Sequence, residues 1–391
     1  LDSGAAYIFE RSANGSWTQK PKLTSADAGA SDIFGWSVAI DGDYAIIGAR
    51  GDGDNGANSG SAYIFERSLE GVWLQTSKLL PSDGAFDDRF GSTVSISGDY
   101  AIVGAENNDD DGHSSGSAYV FHRSDDGTWL EQAKMTASDA EVGDQFGLSV
   151  SISGRYAIAG AKDDDNGYNA GAAYIFERST DGTWAERAKL LAADGAYDDR
   201  FGYSVSISGS HAIVGAHADD DNGDGSGSAY VFERNDDGSW SELVKVIADG
   251  GTSKNYFGRS VSIYRGIAIV GAYNDNHGGS AYVYGDVPEP TTLTLLTLGG
   301  LSLVRRRKRG CANNLNIERI ARWDLESWCA WLVWRLLKRM FRVVPCPAFQ
   351  CVQIPLGKVV RPSAATLWSG TTGVMMHTVF IDGPWGVVKF L

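Results

Sequence analysis

The stretch FGSTVSISGDYAIVGA, Phe90–Ala105, decides the fold. Ser92–Ser97 alternates polar and apolar residues, which places Val94 and Ile96 on one face of a half-buried strand. Ser97-Gly98-Asp99 reads as a tight turn, with glycine free to take a positive φ. Tyr100–Ala105 is a nearly continuous apolar run, the pattern of a strand covered on both faces. After an Asp/Gly/Asn loop, Ser117–Arg123 sets Tyr119 and Phe121 on one side. Asp125-Asp126-Gly127 then turns the chain into Trp129–Met135, with Trp129, Ala133 and Met135 on one face. The unit is four short strands, and residues 1–286 contain no capped helical pattern.

The unit repeats. Phe-Gly recurs at Phe34, Phe90, Phe146, Phe201 and Phe257, a period of 55 or 56 residues. Gly-Ala pairs beginning at Gly48, Gly104, Gly160, Gly215 and Gly271 keep step, as do Trp17, Trp73, Trp129, Trp184 and Trp240. One four-stranded sheet cannot hide both apolar faces, so such units pack radially against each other. The expectation is an all-β fold, a β-propeller of four-stranded antiparallel blades, five or six of them, over residues 1–286. The recurring aromatics read as the core between blades, each removing roughly 150–250 Å² from water. The chain opens with the last two strands of a unit and reaches the first three of another near residue 284. From this we expect a preceding segment to exist, and the N-terminal strand to complete the last blade and close the ring.

Charge divides the chain near residue 310. Residues 1–310 carry a net −20, while residues 311–391 carry +5 and all four cysteines. The acidic part is unsuited to nucleic acid, because phosphate binding needs clustered Lys and Arg. The lack of cysteine before Cys311 excludes a disulfide scaffold or thiol chemistry there.

Units such as Asp198-Asp199-Arg200-Phe201-Gly202-Tyr203-Ser204-Val205, followed by Ala212-Ile213-Val214-Gly215-Ala216, resemble FG-GAP repeats, the blades of the integrin α propeller and of many bacterial surface proteins. Integrin-type repeats often carry a calcium loop between their first and second strands; here that link is a short turn. The residue after Gly-Ala is never proline (Arg50, Glu106, Lys162, His217, Tyr273), so the likeness is to the bacterial variant. A second resemblance covers residues 287–309. Pro288-Glu289-Pro290, the apolar run Thr291–Val304, and Arg305-Arg306-Arg307-Lys308-Arg309 resemble a PEP-CTERM sorting signal. It implies an exosortase as partner and delivery to the surface of a Gram-negative bacterium. The apolar run is short for a span, and the basic cluster holds its end on the cytoplasmic side, as suits transient anchoring in the inner membrane.

Such a signal normally ends its protein, yet residues 310–391 follow it, with six of the twelve tryptophans. This tail is expected to be poorly structured or partly helical, with Ile317–Val344 suiting a Trp-rich amphipathic helix. It reads either as read-through sequence or as a membrane-associated extension.

The loop after each Gly-Ala is the first candidate site. It places Asp52 and Asp54, Asn108 and Asp110, Asp164 and Asn166, Asp219 and Asp221, and Asp275 with His277 at alternate positions. That spacing lets oxygens converge on Ca²⁺, the expected cofactor if there is one; it also suits solvated Asx turns. A second set, Asp32, Asp88, Asp144, Asp199 and Asn255, precedes each Phe-Gly and reads as acceptors of backbone N–H bonds. Arg50-Gly51-Asp52 spells an adhesive tripeptide that arises easily in a Gly/Asp-rich loop. No catalytic set stands out, so the expectation is a binding or structural protein, not an enzyme. Its propeller face would meet a glycan, an exopolysaccharide or a protein ligand. The alternative is a polysaccharide-active enzyme on the same scaffold, which fold alone does not exclude.

Overall fold

The computed structural model describes residues 3–164, 169–275 and 278–285, together with an antiparallel pair of short strands, Phe380–Asp382 and Trp385–Val387. The PEP motif, its apolar run and basic cluster, and the expected helix at Ile317–Val344 lie outside the described residues. The described fold is an all-β propeller of five blades. An N-terminal pair, β1 (Phe9–Arg11) and β2 (Trp17–Gln19), precedes them.

Blade 1 comprises β3 (Ser37–Asp41), β4 (Tyr44–Ala49), β5 (Ser61–Arg67) and β6 (Trp73–Leu79). Blade 2 comprises β7 (Thr93–Ser97), β8 (Tyr100–Ala105), β9 (Ser117–Arg123) and β10 (Trp129–Met135). Blade 3 comprises β11 (Ser149–Ser153), β12 (Tyr156–Ala161), β13 (Ala172–Arg178) and β14 (Trp184–Leu190). Blade 4 comprises β15 (Phe201–Ser208), β16 (His211–Ala216), β17 (Ser228–Arg234) and β18 (Trp240–Val246). Blade 5 has three strands, β19 (Phe257–Tyr264), β20 (Ile267–Ala272) and β21 (Ser280–Tyr284). Each sheet is a meander with its first strand innermost.

Blades bury one another's apolar faces, as the repeat demands. The core between blades 1 and 2 joins Ile46, Ile64 and Leu79 to Phe90, Val94, Ile96, Val103 and Tyr119, and equivalent cores recur around the ring. Phe90 meets Tyr119 edge-on at 5.5 Å and Phe121 at 5.9 Å. The phenylalanines of Phe-Gly and the tyrosines Tyr63, Tyr119, Tyr174 and Tyr230 are the large, fully buried side chains. The tryptophans sit further out than expected. Only Trp129 is buried, while Trp73, Trp184 and Trp240 are half-buried and Trp17 is exposed. Trp129, Trp184 and Trp240 pack edge-on, at 6.1–6.3 Å, against Tyr44, Tyr100 and Tyr156 of the preceding blade.

Glycine is needed at Phe-Gly and Gly-Ala because backbones touch there. Gly91 has φ +87°, and a Cβ on Gly48 would lie 2.0 Å from the Gly91 carbonyl oxygen of the next blade. Serine hydroxyls stitch neighbouring inner strands together. Ser95, Ser151 and Ser206 Oγ accept from the backbone N–H of Ile152, Ile207 and Ile263, each at 3.1 Å. Asp41, Ser97, Ser153 and Ser208 accept in the same way from Gly98, Gly154, Gly209 and Arg265. These bonds give partners to the strand edges that face the axis.

The expected ring closure is corrected. β2 pairs with β1, and blade 5 has no fourth strand among the described residues. The pair packs on blade 1 through Ala6, Ile8 and Leu23. The local turn at Ser12–Ser16 closes that hairpin at little entropic cost, whereas pairing β2 with β21 closes a loop of most of the domain.

Candidate binding site

Two sets of polar residues occupy the same end of every blade. The meander puts the start of the first strand, the end of the second, the start of the third and the end of the fourth together.

The first set contains the Asp-x-Asp pairs. In blade 1, Lys78 Nζ stands 2.7 Å from Asp27, 2.9 Å from Asp52 and 2.6 Å from Asp54. The Tyr63 hydroxyl lies 2.9 Å from both Asp27 and Asp52. In blade 4, Lys245 repeats this with Asp194, Asp219 and Asp221 at 2.6–2.8 Å. In blade 2, Lys134 bonds Asp83, Asn108 and Asp110, and in blade 3 Lys189 bonds Asp139 and Asp164; Asn166 lies outside the described residues. Asp275 in blade 5 is buried and accepts from Tyr282 at 2.8 Å and from Asn255 at 3.1 Å; His277 lies outside the described residues.

Burial alone raises the Asp52 carboxyl, but the bonds from Lys78, the Asp54 N–H and Tyr63 outweigh it and hold the group below its ordinary range. Burial likewise lowers the Lys78 ammonium, and its three carboxylates more than reverse that. Asp27, Asp52 and Asp54 form the described group whose oxygens come close enough for a metal. Their point of convergence holds the Lys78 ammonium, so calcium fits there only with the lysine displaced. The lysines escaped the sequence reading although they recur at Lys78, Lys134, Lys189 and Lys245, always five residues after the tryptophan. Asp52 of the adhesive-looking tripeptide is 3% exposed and tied into this cluster.

The acids before Phe-Gly behave as expected. Asp32, Asp88, Asp144 and Asp199 are buried and accept from the backbone N–H three residues earlier, at 2.5–2.8 Å.

The second set was not found by reading what repeats. It occupies the positions that do not. The residues just before Phe-Gly are Ile33, Arg89, Gln145, Arg200 and Tyr256; just after it, Trp36, Ser92, Leu148, Tyr203 and Arg259; and after Gly-Ala, Arg50, Glu106, Lys162, His217 and Tyr273. The five residues before Phe-Gly all lie at φ between 53° and 59°, a left-handed conformation that is strained for Ile and Tyr. The other two sets mark where the first strands start and the second strands end. The inner strands of all five blades enclose a cavity of about 370 Å³ along the axis, with Trp36, Arg50, Arg89, Glu106, Tyr203 and Arg259 in its wall.

The fifteen variable positions carry five cations and one carboxylate, in a part of the chain whose net charge is −20. The Arg50 guanidinium lies over the Trp36 ring, 3.4 Å from its centroid. Arg259 lies over Tyr203 at 5.2 Å and over Tyr273 at 5.1 Å. Arg89 and Arg200 are paired with Asp87 and Asp198, at 3.3 and 3.0 Å, and Lys162 with Asp163. Arg50 and Arg259 make no salt bridge among the described residues. Glu106 is buried, with Oε2 lacking a hydrogen-bond partner; burial raises its carboxyl despite a bond from Ser92 and the nearby Arg50 and Arg89. His217 stacks near Tyr203 at 4.1 Å; burial, then Arg259, Arg200 and Lys162, push its pKa down to about 3, so it is neutral.

Comparison with known proteins agrees with this architecture. The FG-GAP repeat family matches residues 17–65, 73–121, 129–176, 184–232 and 240–284. Each match runs from the fourth strand of one sheet through the third strand of the next. The PEP-CTERM protein-sorting motif matches residues 286–309. Such signals are recognised by exosortase and mark secreted, cell-surface proteins of Gram-negative bacteria. No curated protein matches this chain. Among solved structures, a crystal structure of a protein from Lactobacillus plantarum is similar at 14% identity and a TM-score of 0.44, over 64% of this chain and 67% of that one. The chain belongs to the FG-GAP repeat family and carries a PEP-CTERM sorting motif behind its propeller.

Proposed function

We propose that this protein is a non-catalytic binding propeller, sorted to the outer cell surface, which meets exopolysaccharide or another matrix ligand with the channel-mouth end of its blades. The observation that carries this reading is the sorting motif at residues 286–309, directly behind a propeller whose axial cavity is lined in part by residues that differ from blade to blade. In this reading Thr291–Val304 holds the chain transiently in the inner membrane, Arg305, Arg306 and Arg307 stay on the cytoplasmic side, and exosortase acts at Pro288-Glu289-Pro290. We assign the balancing of the acidic loops in blades 1–4 to lysine and not to calcium. Cell fractionation tests the proposal. The propeller should reach the outer surface in an exosortase-positive host and stay with the inner membrane when Pro288 and Glu289 are both replaced by alanine. Retention of the unaltered protein in the cytoplasm sinks it.

A polysaccharide-active enzyme is the second reading, and Glu106 favours it, because a buried carboxyl with a raised pKa suits a general acid. Glycoside hydrolysis needs a second carboxyl about 5–9.5 Å away. Glu106 is the lone carboxylate among the fifteen variable positions. A reducing-sugar assay on acidic and neutral polysaccharides separates the readings, since turnover abolished by Glu106→Gln would establish the enzyme.

A further inference from the structure

The channel mouth has a chemistry of its own. Two guanidinium groups, Arg50 and Arg259, are held flat against aromatic rings, and neither is spent on a salt bridge among the described residues. A guanidinium laid on a ring keeps its N–H edge free, and that planar fork matches a carboxylate. The rings that hold the arginines also offer apolar faces, which suit the C–H face of a pyranose. The cavity, at about 370 Å³, is in the range of small-ligand sites. It is also walled by low-dielectric strands, which strengthens the pull on an anion at a positive mouth in an acidic domain. Glu106 belongs to the same wall, and its buried Oε2 has no hydrogen-bond partner among the described residues. Neighbouring cations are accounted for: Arg89, Arg200 and Lys162 each face a carboxylate of their own loop.

We propose that the channel mouth binds an acidic oligosaccharide, with uronate carboxylates held by Arg50 and by Arg259, and sugar rings set against Trp36 and Tyr203. This rests on the reading of the protein as a surface binding propeller and names the ligand class of that site. It explains why these positions differ from blade to blade. A ring of identical residues suits a ligand with the symmetry of the ring, whereas a sugar chain lying across the mouth meets each blade differently.

The test is titration calorimetry of the full chain with a hexameric oligouronate at physiological salt. Binding with a sub-millimolar Kd is expected. Arg50→Ala and Arg259→Ala should each weaken it at least tenfold, with melting temperatures showing that both variants fold. Arg50→Lys, which keeps the charge and loses the fork, should weaken it about fivefold and serves if the alanine variant unfolds. Arg155→Ala, which removes the same charge in the turn between β11 and β12 at the opposite end of blade 3, should change Kd less than twofold. A neutral glucan binding equally well, equal losses from Arg155→Ala and Arg50→Ala, or inorganic phosphate displacing the sugar would each overturn the site. Failure here with correct surface sorting removes the site alone. Mislocalised protein that still binds uronate removes the sorting proposal alone.

Discussion

The lysine–aspartate clusters and the channel mouth stand at the same end of the same blades and teach opposite lessons about repetition. The clusters return almost unchanged from blade 1 to blade 4, because each solves the same problem of capping a fully buried tyrosine with paired charge. The mouth changes at every step, although the Phe-Gly and Gly-Ala that position it are invariant among the five blades. Uniformity marks what every blade needs to fold, and the mouth differs from blade to blade in charge and shape while the backbone that carries it stays the same.

The largest way to break this contrast is to remove a lysine from a cluster. Lys245→Met strips the cation from Asp219, which is 3% exposed, and should lower stability by about 3–5 kcal/mol in denaturant unfolding. Arg259→Ala, at the mouth, should lower it by no more than about 1 kcal/mol while acting on ligand. If the two lose equal stability, the division between scaffold and site fails.

Acid sharpens the contrast next. Asp199 is buried and its pKa is raised to about 6, by burial and then by Asp219 and Asp220 against the Ala196 N–H. A carboxyl raised in the fold favours folding as it takes up its proton. Its contribution therefore grows as pH falls from above 6 towards the ordinary carboxylate value near 4. Asp199→Asn should raise stability by about 1–2 kcal/mol at pH 7.5 and by almost nothing at pH 4. Asp27 and Asp52 have the opposite sign. Their depressed carboxyls support the fold above about pH 4, and that support is lost as pH falls through their folded values.

His217 gives a smaller signal confined to the mouth. Its neutral form is favoured in the fold, so its contribution is full above the ordinary histidine value near 6.5 and declines as pH falls towards 3. The ring resonances of His217 should show no protonation at pH 5 by NMR; titration near 6.5 would contradict the burial described. Calcium should have the least effect of all. At 5 mM it should move the melting temperature by less than about 1 °C, because the lysines already balance the carboxylates. A shift of several degrees would return the Asp-x-Asp loops to calcium.

Much of the scaffold was legible before any coordinates, because strand alternation and a 56-residue period are written in residues that face each other locally. The backbone N–H bonds accepted by Asp32, Asp88, Asp144 and Asp199 were legible for the same reason. The lysine clusters were not. Each joins a loop, a neighbouring strand end and the connection from the preceding blade, as Asp27, Asp52 and Lys78 do, and only the radial packing brings these together. The mouth was hidden for a different reason. A search for periodic markers discards what varies, and Arg50, Glu106 and Arg259 are informative because they break the period. The period of the tryptophans is no measure of burial. It reflects instead an edge-on contact with a tyrosine of the preceding blade.

The serine stitching of the inner strands has a direction. Ser95 serves Ile152, Ser151 serves Ile207 and Ser206 serves Ile263, always from one unit to its successor. Blade 1 has Ala39 at that position, so a duplicated unit inserted among blades 2–5 is the one that would find an acceptor serine on one side and a donor N–H on the other. Tandem copying of such a unit keeps this stitch, and a copy can change its residues at the channel mouth without losing it.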